Sequence, residues 1–124
     1  MNVSQLDAAM EQWKKNLGAG LVSSDIVGGD GLGLVSMNSN PMASALFGEI
    51  TGYVRDTLNR GGFTPPLGRY YMTHMKNGHL SIVMVTGEFS WVSVVDRSKI
   101  SMGILLNVAL PGALKTLQMA LLEE

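Results

Sequence analysis

Histidines His74 and His79 stand on either side of Asn77-Gly78, and imidazole is the commonest catalytic base and metal ligand. A two-residue hairpin loop at that dipeptide sets the pair diagonally on one face of two strands. No Cys or Asp stands nearby to complete a metal set, so a solvated strand end is the favoured reading. A Ser or Thr nucleophile would need one of these imidazoles held by an acidic orienter, and no clear orienter is present. Asp25, Asp30, Glu49 and Asp56 fall on a strand, a turn and a helix with no spacing that pairs them for acid–base work. Gly28-Gly29-Asp30-Gly31 is rich enough in glycine for a phosphate cradle. It lacks a following Lys-Ser/Thr, however, and leads into a strand-like run, so its amides would not converge on an anion. No catalytic, cofactor-binding or metal residue is expected.

Composition narrows the classes further. The 124 residues suit a single domain, 1–124, with a core that closes without metal or disulfide. Cysteine is absent, which removes thiolate chemistry and any disulfide framework and makes a cytoplasmic address the default. A net charge of -1 offers no field for nucleic acid or an anionic membrane. Charged residues are 15% and hydrophobic ones 46%, so some apolar surface should be buried between subunits. The opening residues lack the basic and apolar regions of a signal peptide. The longest uncharged run, Ile100 to Leu114, is shorter than the roughly 20 residues of a bilayer span, so no membrane insertion is expected.

The elements that hold these residues centre on His79 to Val95, two Val-, Ile-, Phe- and Trp-rich runs split by Gly87-Glu88. Leu80, Ile82 and Met84 alternate with Val83 and Val85, so this strand is apolar on both faces and needs helices above and below. Val3, Leu6, Met10, Trp13 and Leu17 predict an amphipathic first helix with Ser4 as its cap and Gly18 as its terminator. Ala19 to Val27 and Leu32 to Met37 predict a hairpin about Asp30-Gly31. Arg69 to Lys76 predicts a third strand, with Met75 opposite Leu80, Thr73 opposite Ile82 and Tyr71 opposite Met84. Gly62 to Gly68 reads as loop.

Asn40-Pro41 starts a second helix, predicted over Pro41 to Asn59 with Leu46, Ile50, Tyr53, Val54 and Leu58 on its core face. Ser44, Gly48 and Gly52 form a separate row four residues apart. Each interior glycine costs about 1 kcal/mol relative to alanine, so the row implies that another backbone comes close, either its own sheet or something outside. In the last helix, capped by Ser98 or Ser101, the inward row is Leu106, Leu110, Ala113 or Leu114, Leu117 and Leu121. Pro111 should kink or divide that helix near Ala109 to Gly112.

Helix, two strands, helix, three strands, helix on one antiparallel sheet is an α+β order. With the Asp30-Gly31 turn, the long second helix and the segment D-R-S-K-I-S-M-G-I-L-L from Asp96 to Leu106, it resembles the roadblock family, named for a dynein light chain. Gly28-Gly29 and Pro111 depart from the family's pattern. The resemblance implies a profilin-like sheet of order 2-1-5-4-3 with two helices on one face and one on the other. It also implies dimerisation through the second helix and third strand, and non-enzymatic work as a regulator or scaffold of a Ras-like small GTPase. By the same resemblance, Ser44, Gly48 and Gly52 are the partner-binding positions, and Tyr53, Tyr70, Tyr71 and Met72 lie at the homodimer seam. A small-molecule sensory module on the same sheet is the alternative, and a hydrolase the least favoured class.

Overall fold

The computed structural model describes residues 2–65 and 67–122; Pro66, within the predicted loop, lies outside them. Helix α1, Val3–Leu17, leads through a tight 3-10 turn to strands β1, Leu21–Val27, and β2, Gly33–Met37. Helix α2, Pro41–Arg60, follows, then β3, Tyr70–His74, β4, His79–Thr86, and β5, Phe89–Asp96. A last helical segment, α3, comprises Met102–Ile104, a π turn Leu105–Ala109 and Leu110–Leu122. The strands form one antiparallel sheet of order β2-β1-β5-β4-β3, the order that the roadblock resemblance implied.

Alternation along β4 divides the interior into two layers. Leu80, Ile82 and Met84 join Trp91 and Val95 under α1 and α3, while Val83, Val85 and Val92 pack with Phe47 of α2. In the larger layer the indoles of Trp13 and Trp91 lie 5.5 Å apart and each donates to a serine hydroxyl: Trp13 Nε1 to Ser93 Oγ at 3.0 Å, Trp91 Nε1 to Ser24 Oγ at 2.7 Å. The two hydroxyls are joined at 2.9 Å, so both buried N–H groups are satisfied and α1 is fixed to the sheet centre.

Several local expectations are corrected. Asn2, not Ser4, caps α1, its Oδ1 accepting from Gln5 N. The β3–β4 register is displaced by one residue: Tyr70 pairs Met84, Tyr71 pairs Val83, Met72 pairs Ile82 and His74 pairs Leu80. The loop holds three residues, Lys76-Asn77-Gly78. Gly78 N donates to Met75 O, Met75 N donates to His79 O, and Gly78 takes φ 86. This is a turn closed by a glycine bulge. The first hairpin repeats it at Gly29-Asp30-Gly31, where Gly28 N donates to Leu32 O and Gly31 has φ 81. A slip of one residue exchanges faces. Tyr71 therefore turns to the α2 layer, and His74 and His79 lie on opposite faces of the sheet rather than on one.

The last helix neither breaks nor keeps α-helical register at Pro111. Leu110 N donates to Leu105 O, a five-residue step, so Leu105 rather than Leu106 sits beneath Leu110. Leu105, Ala109, Leu110, Ala113, Leu114, Leu117 and Ala120 are buried, and Leu106 is exposed. Ser101 is the cap, accepting from Ile104 N through Oγ, whereas Ser98 donates to Asp96 one turn earlier. The helix runs past Lys115, so Met102–Leu121 is long and apolar enough by length and composition to cross a bilayer; here its leucine row is spent on α1 and the sheet.

Candidate partner-docking surface

Helix α2 lies on its sheet by a narrower stripe than its sequence implied. Phe47 and Thr51 are its buried residues, with Ala43, Ile50, Val54 and Leu58 half-buried. Leu46 and Tyr53, predicted for the core face, are exposed, Tyr53 by 72%. Asn40 Oδ1 accepts from Ala43 N, which sets the helix entry. Thr51 and Tyr71 then tie the middle of the helix to β3: their hydroxyls lie 2.7 Å apart, and both reach the carbonyl of Phe47. Burial pushes the Tyr71 phenol above its ordinary pKa, against the opposing pull of the Thr51 hydrogen bond and the Arg55 charge.

The exposed surface of α2 has two flanks. On one, Gly48 and Gly52 are open: a Cβ built on either meets no heavy atom within 4 Å, so neither glycine is there to let the helix approach its own sheet. Ser44, at the head of this row, is half-buried, and with Ala45 it lines a cavity of about 170 Å³ against Asp25, Val27 and Gly33. The head of the row therefore meets β1 and β2. Beside Gly52, the residues Glu49, Tyr53, Arg55, Asp56 and Asn59 border an open depression on the helix surface. On the other flank helical spacing aligns Met42, Leu46 and Tyr53, all exposed and Met42 by 81%.

Among the described residues β3 is an edge strand, with β4 as its one sheet neighbour. Its expected seam residues separate in the structure. Tyr70 is partly exposed, Tyr71 is drawn under α2, and Met72 packs on the larger core layer. The structure thus brings Ser44, Gly48 and Gly52 together as one row. Tyr53 stands outside that row, across the depression that Gly52 borders, and the β3 residues are shared between the two faces of the sheet. Leu46 and Met42 were missed as exposed apolar residues; that Phe47 and Thr51 share a stripe at a spacing of four was the signal available. Among the described residues no group of three His, Cys, Asp or Glu side chains could hold a metal ion.

No family model and no curated protein matches the sequence. Solved structures do. Myxococcus xanthus MglB superposes with a TM-score of 0.78 at 12% identity, over 96% of this chain and 89% of that one. A roadblock/LC7 domain from Streptomyces avermitilis gives 0.70 at 13% identity, over 94% and 98%. Profilin IA of Acanthamoeba castellanii gives 0.53 at 16% identity, over 88% and 95%. With its sheet order and its helices divided between the two faces, this chain has the roadblock fold, a profilin-like α+β architecture.

Proposed function

We propose that the chain is a non-enzymatic, cytoplasmic homodimeric regulator or scaffold of a Ras-like small GTPase, and that Ser44, Gly48 and Gly52 form the docking row. One observation carries this reading: α2 keeps two interior glycines on a surface where its own chain leaves the space above them empty. Alanine would make a better helix there, and contact between a partner's backbone and this one is what a glycine surface permits. The roadblock fold supports the partner class. Exposed apolar residues of α2 outside the docking row support the homodimer reading. Met42, Leu46 and Tyr53 are exposed and β3 is an edge strand of the sheet, so a second copy meeting both would cover apolar side chains and continue the sheet.

The test is Gly48→Arg, examined by light scattering at tens of micromolar and by pull-down with a Ras-like GTPase encoded beside this chain. Open space at Gly48 accommodates the arginine in the free chain, so a folded dimer that no longer captures the GTPase is expected. A folded dimer that captures it as well as the parent does refutes the docking row. A monomeric variant places the row at the seam between copies instead.

A further inference from the structure

The small cavity at the head of the glycine row contains a buried anion without a cation. Asp25 lies on the α2 face of β1, between Ser24 and Ile26 of the opposite layer, and is 4% exposed. One carboxylate oxygen accepts from Ser39 Oγ at 2.5 Å and the other from Asn40 N at 2.9 Å. These are its bonds among the described residues, and it makes no ion pair there. Each oxygen retains a free acceptor direction. Ser44 lines the same cavity, and its Oγ is shielded from solvent with no hydrogen-bond partner. A buried carboxylate that keeps its charge ordinarily has a cation or a full set of donors beside it.

The walls admit one. Beyond Asp25 and Ser44 they are built of small residues, Gly31, Gly33 and Ala45 among them, and carry no Lys or Arg. A Cβ at Gly31 or Gly33 meets nothing within 4 Å, so the β2 side of the cavity is open. Two further carboxylates stand at the same end of the sheet, Asp30 next to Gly31 in the chain and Glu88 packed over Gly29. An anion is disfavoured even though α2 begins here, because Asn40 Oδ1 already accepts from Ala43 N and Asp25 from Asn40 N. We propose that this cavity receives one guanidinium or ammonium side chain of the partner that rests on the glycine row, with Asp25 as its counter-ion and Ser44 Oγ as a second acceptor. This rests on the docking reading above: the cavity supplies a charged specificity contact at one end of an otherwise featureless surface.

Two variants test it. Asp25→Asn removes the charge, and Gly33→Val keeps the charge but fills the mouth from a strand position that suits valine. The isotope-labelled chain is titrated with methylguanidinium chloride and with methylammonium chloride, against sodium chloride as the ionic-strength control, following amide shifts. Saturable shifts confined to Asp25, Ser39, Asn40 and Ser44 are expected, and their loss in Gly33→Val. Shifts no larger than those from sodium chloride overturn the proposal, as do identical titrations of Gly33→Val and the parent. In pull-down with the GTPase, Gly33→Val and Asp25→Asn are each expected to weaken capture at least tenfold. Capture that is lost in Gly48→Arg but unchanged in Gly33→Val removes the cavity and leaves the docking row standing. Saturable methylguanidinium binding with no GTPase capture by the parent supports the cation cavity and removes the GTPase reading.

Discussion

If the glycine row exists for a partner, replacing it by alanine should make the free protein more stable. The structure sets the size of the effect. Gly48 and Gly52 lie inside α2, neither has a positive φ, and a Cβ at either meets nothing within 4 Å, so alanine enters without strain or overpacking. What remains is the backbone entropy that glycine loses on entering a helix, about 0.8–1 kcal/mol per position. The two positions are one turn apart, which allows a coupling of a few tenths. Gly48→Ala with Gly52→Ala should therefore add about 1.5–2 kcal/mol. For a chain of this length that is roughly 5–8 °C in Tm.

Urea unfolding followed by tryptophan emission is the assay, since Trp13 and Trp91 are both buried in the core and report its loss. Parent and variant must be compared at one protein concentration, because a dimer's midpoint depends on it. An unchanged urea slope with a raised midpoint is the expected result. The reasoning is refuted if the double variant is destabilised. Something would then already occupy the space over the row in the unliganded protein, and the second copy would be the candidate. A stabilised variant that binds the GTPase with undiminished affinity separates the glycines from docking and leaves them without a function.

Ser93→Ala leaves Trp13 Nε1 without an acceptor in a dry core and should cost about 1–3 kcal/mol by the same urea assay, while Ser93→Thr, which keeps the hydroxyl, should recover part of it. Gly20→Ala should cost about 1–3 kcal/mol, because its Cβ would lie 2.3 Å from Ile100 Cγ2 and 3.1 Å from Lys99 O; a neutral result would show that the turn after β5 yields freely. Alkaline unfolding should carry the signature of Tyr71. Its folded pKa is raised by burial, so its contribution is complete below the unfolded value near 10 and is lost as pH rises through the folded one. Tyr71→Phe should flatten that loss, and an unaltered alkaline limb would assign it elsewhere.

The larger architecture was legible because its signals were redundant. Apolar residues on both faces of β4 demanded two layers of helices, Asn40-Pro41 set the start of α2, and the Gly87-Glu88 turn fixed β4 against β5. Elsewhere a single local choice decided the outcome. Asn77-Gly78 suits a two-residue loop, yet Asn77 Oδ1 accepts from His79 N and the chain takes Lys76 into the turn. The first hairpin does the same, with Asp30 Oδ1 accepting from Leu32 N. A side-chain acceptor that bonds two residues onward stabilises the turn leading into a positive-φ glycine. The three-residue closure wins on that account, and the whole of β3 turns over.

That inversion bears on the site. In the two-residue register Tyr71 would have stood opposite Met84 under α1 and α3, and β3 would have had no polar tie to α2. In the observed register its hydroxyl meets Thr51 and the Phe47 carbonyl, so the edge strand and the helix are held in a fixed relation. Both elements contribute to the proposed seam between copies, so a dimer formed there gains a preorganised surface rather than two independent ones. The same geometry explains why α2 needs so narrow a buried stripe. With Thr51 anchored to β3 and Asp25 anchoring the start of the helix through Ser39 and Asn40, its position does not rest on apolar area alone. Leu46 and Tyr53 on one flank, and the glycines on the other, are thereby released from the core. Their types then answer to whatever meets the outer surface, which is why core periodicity misread the first pair and could not account for the second.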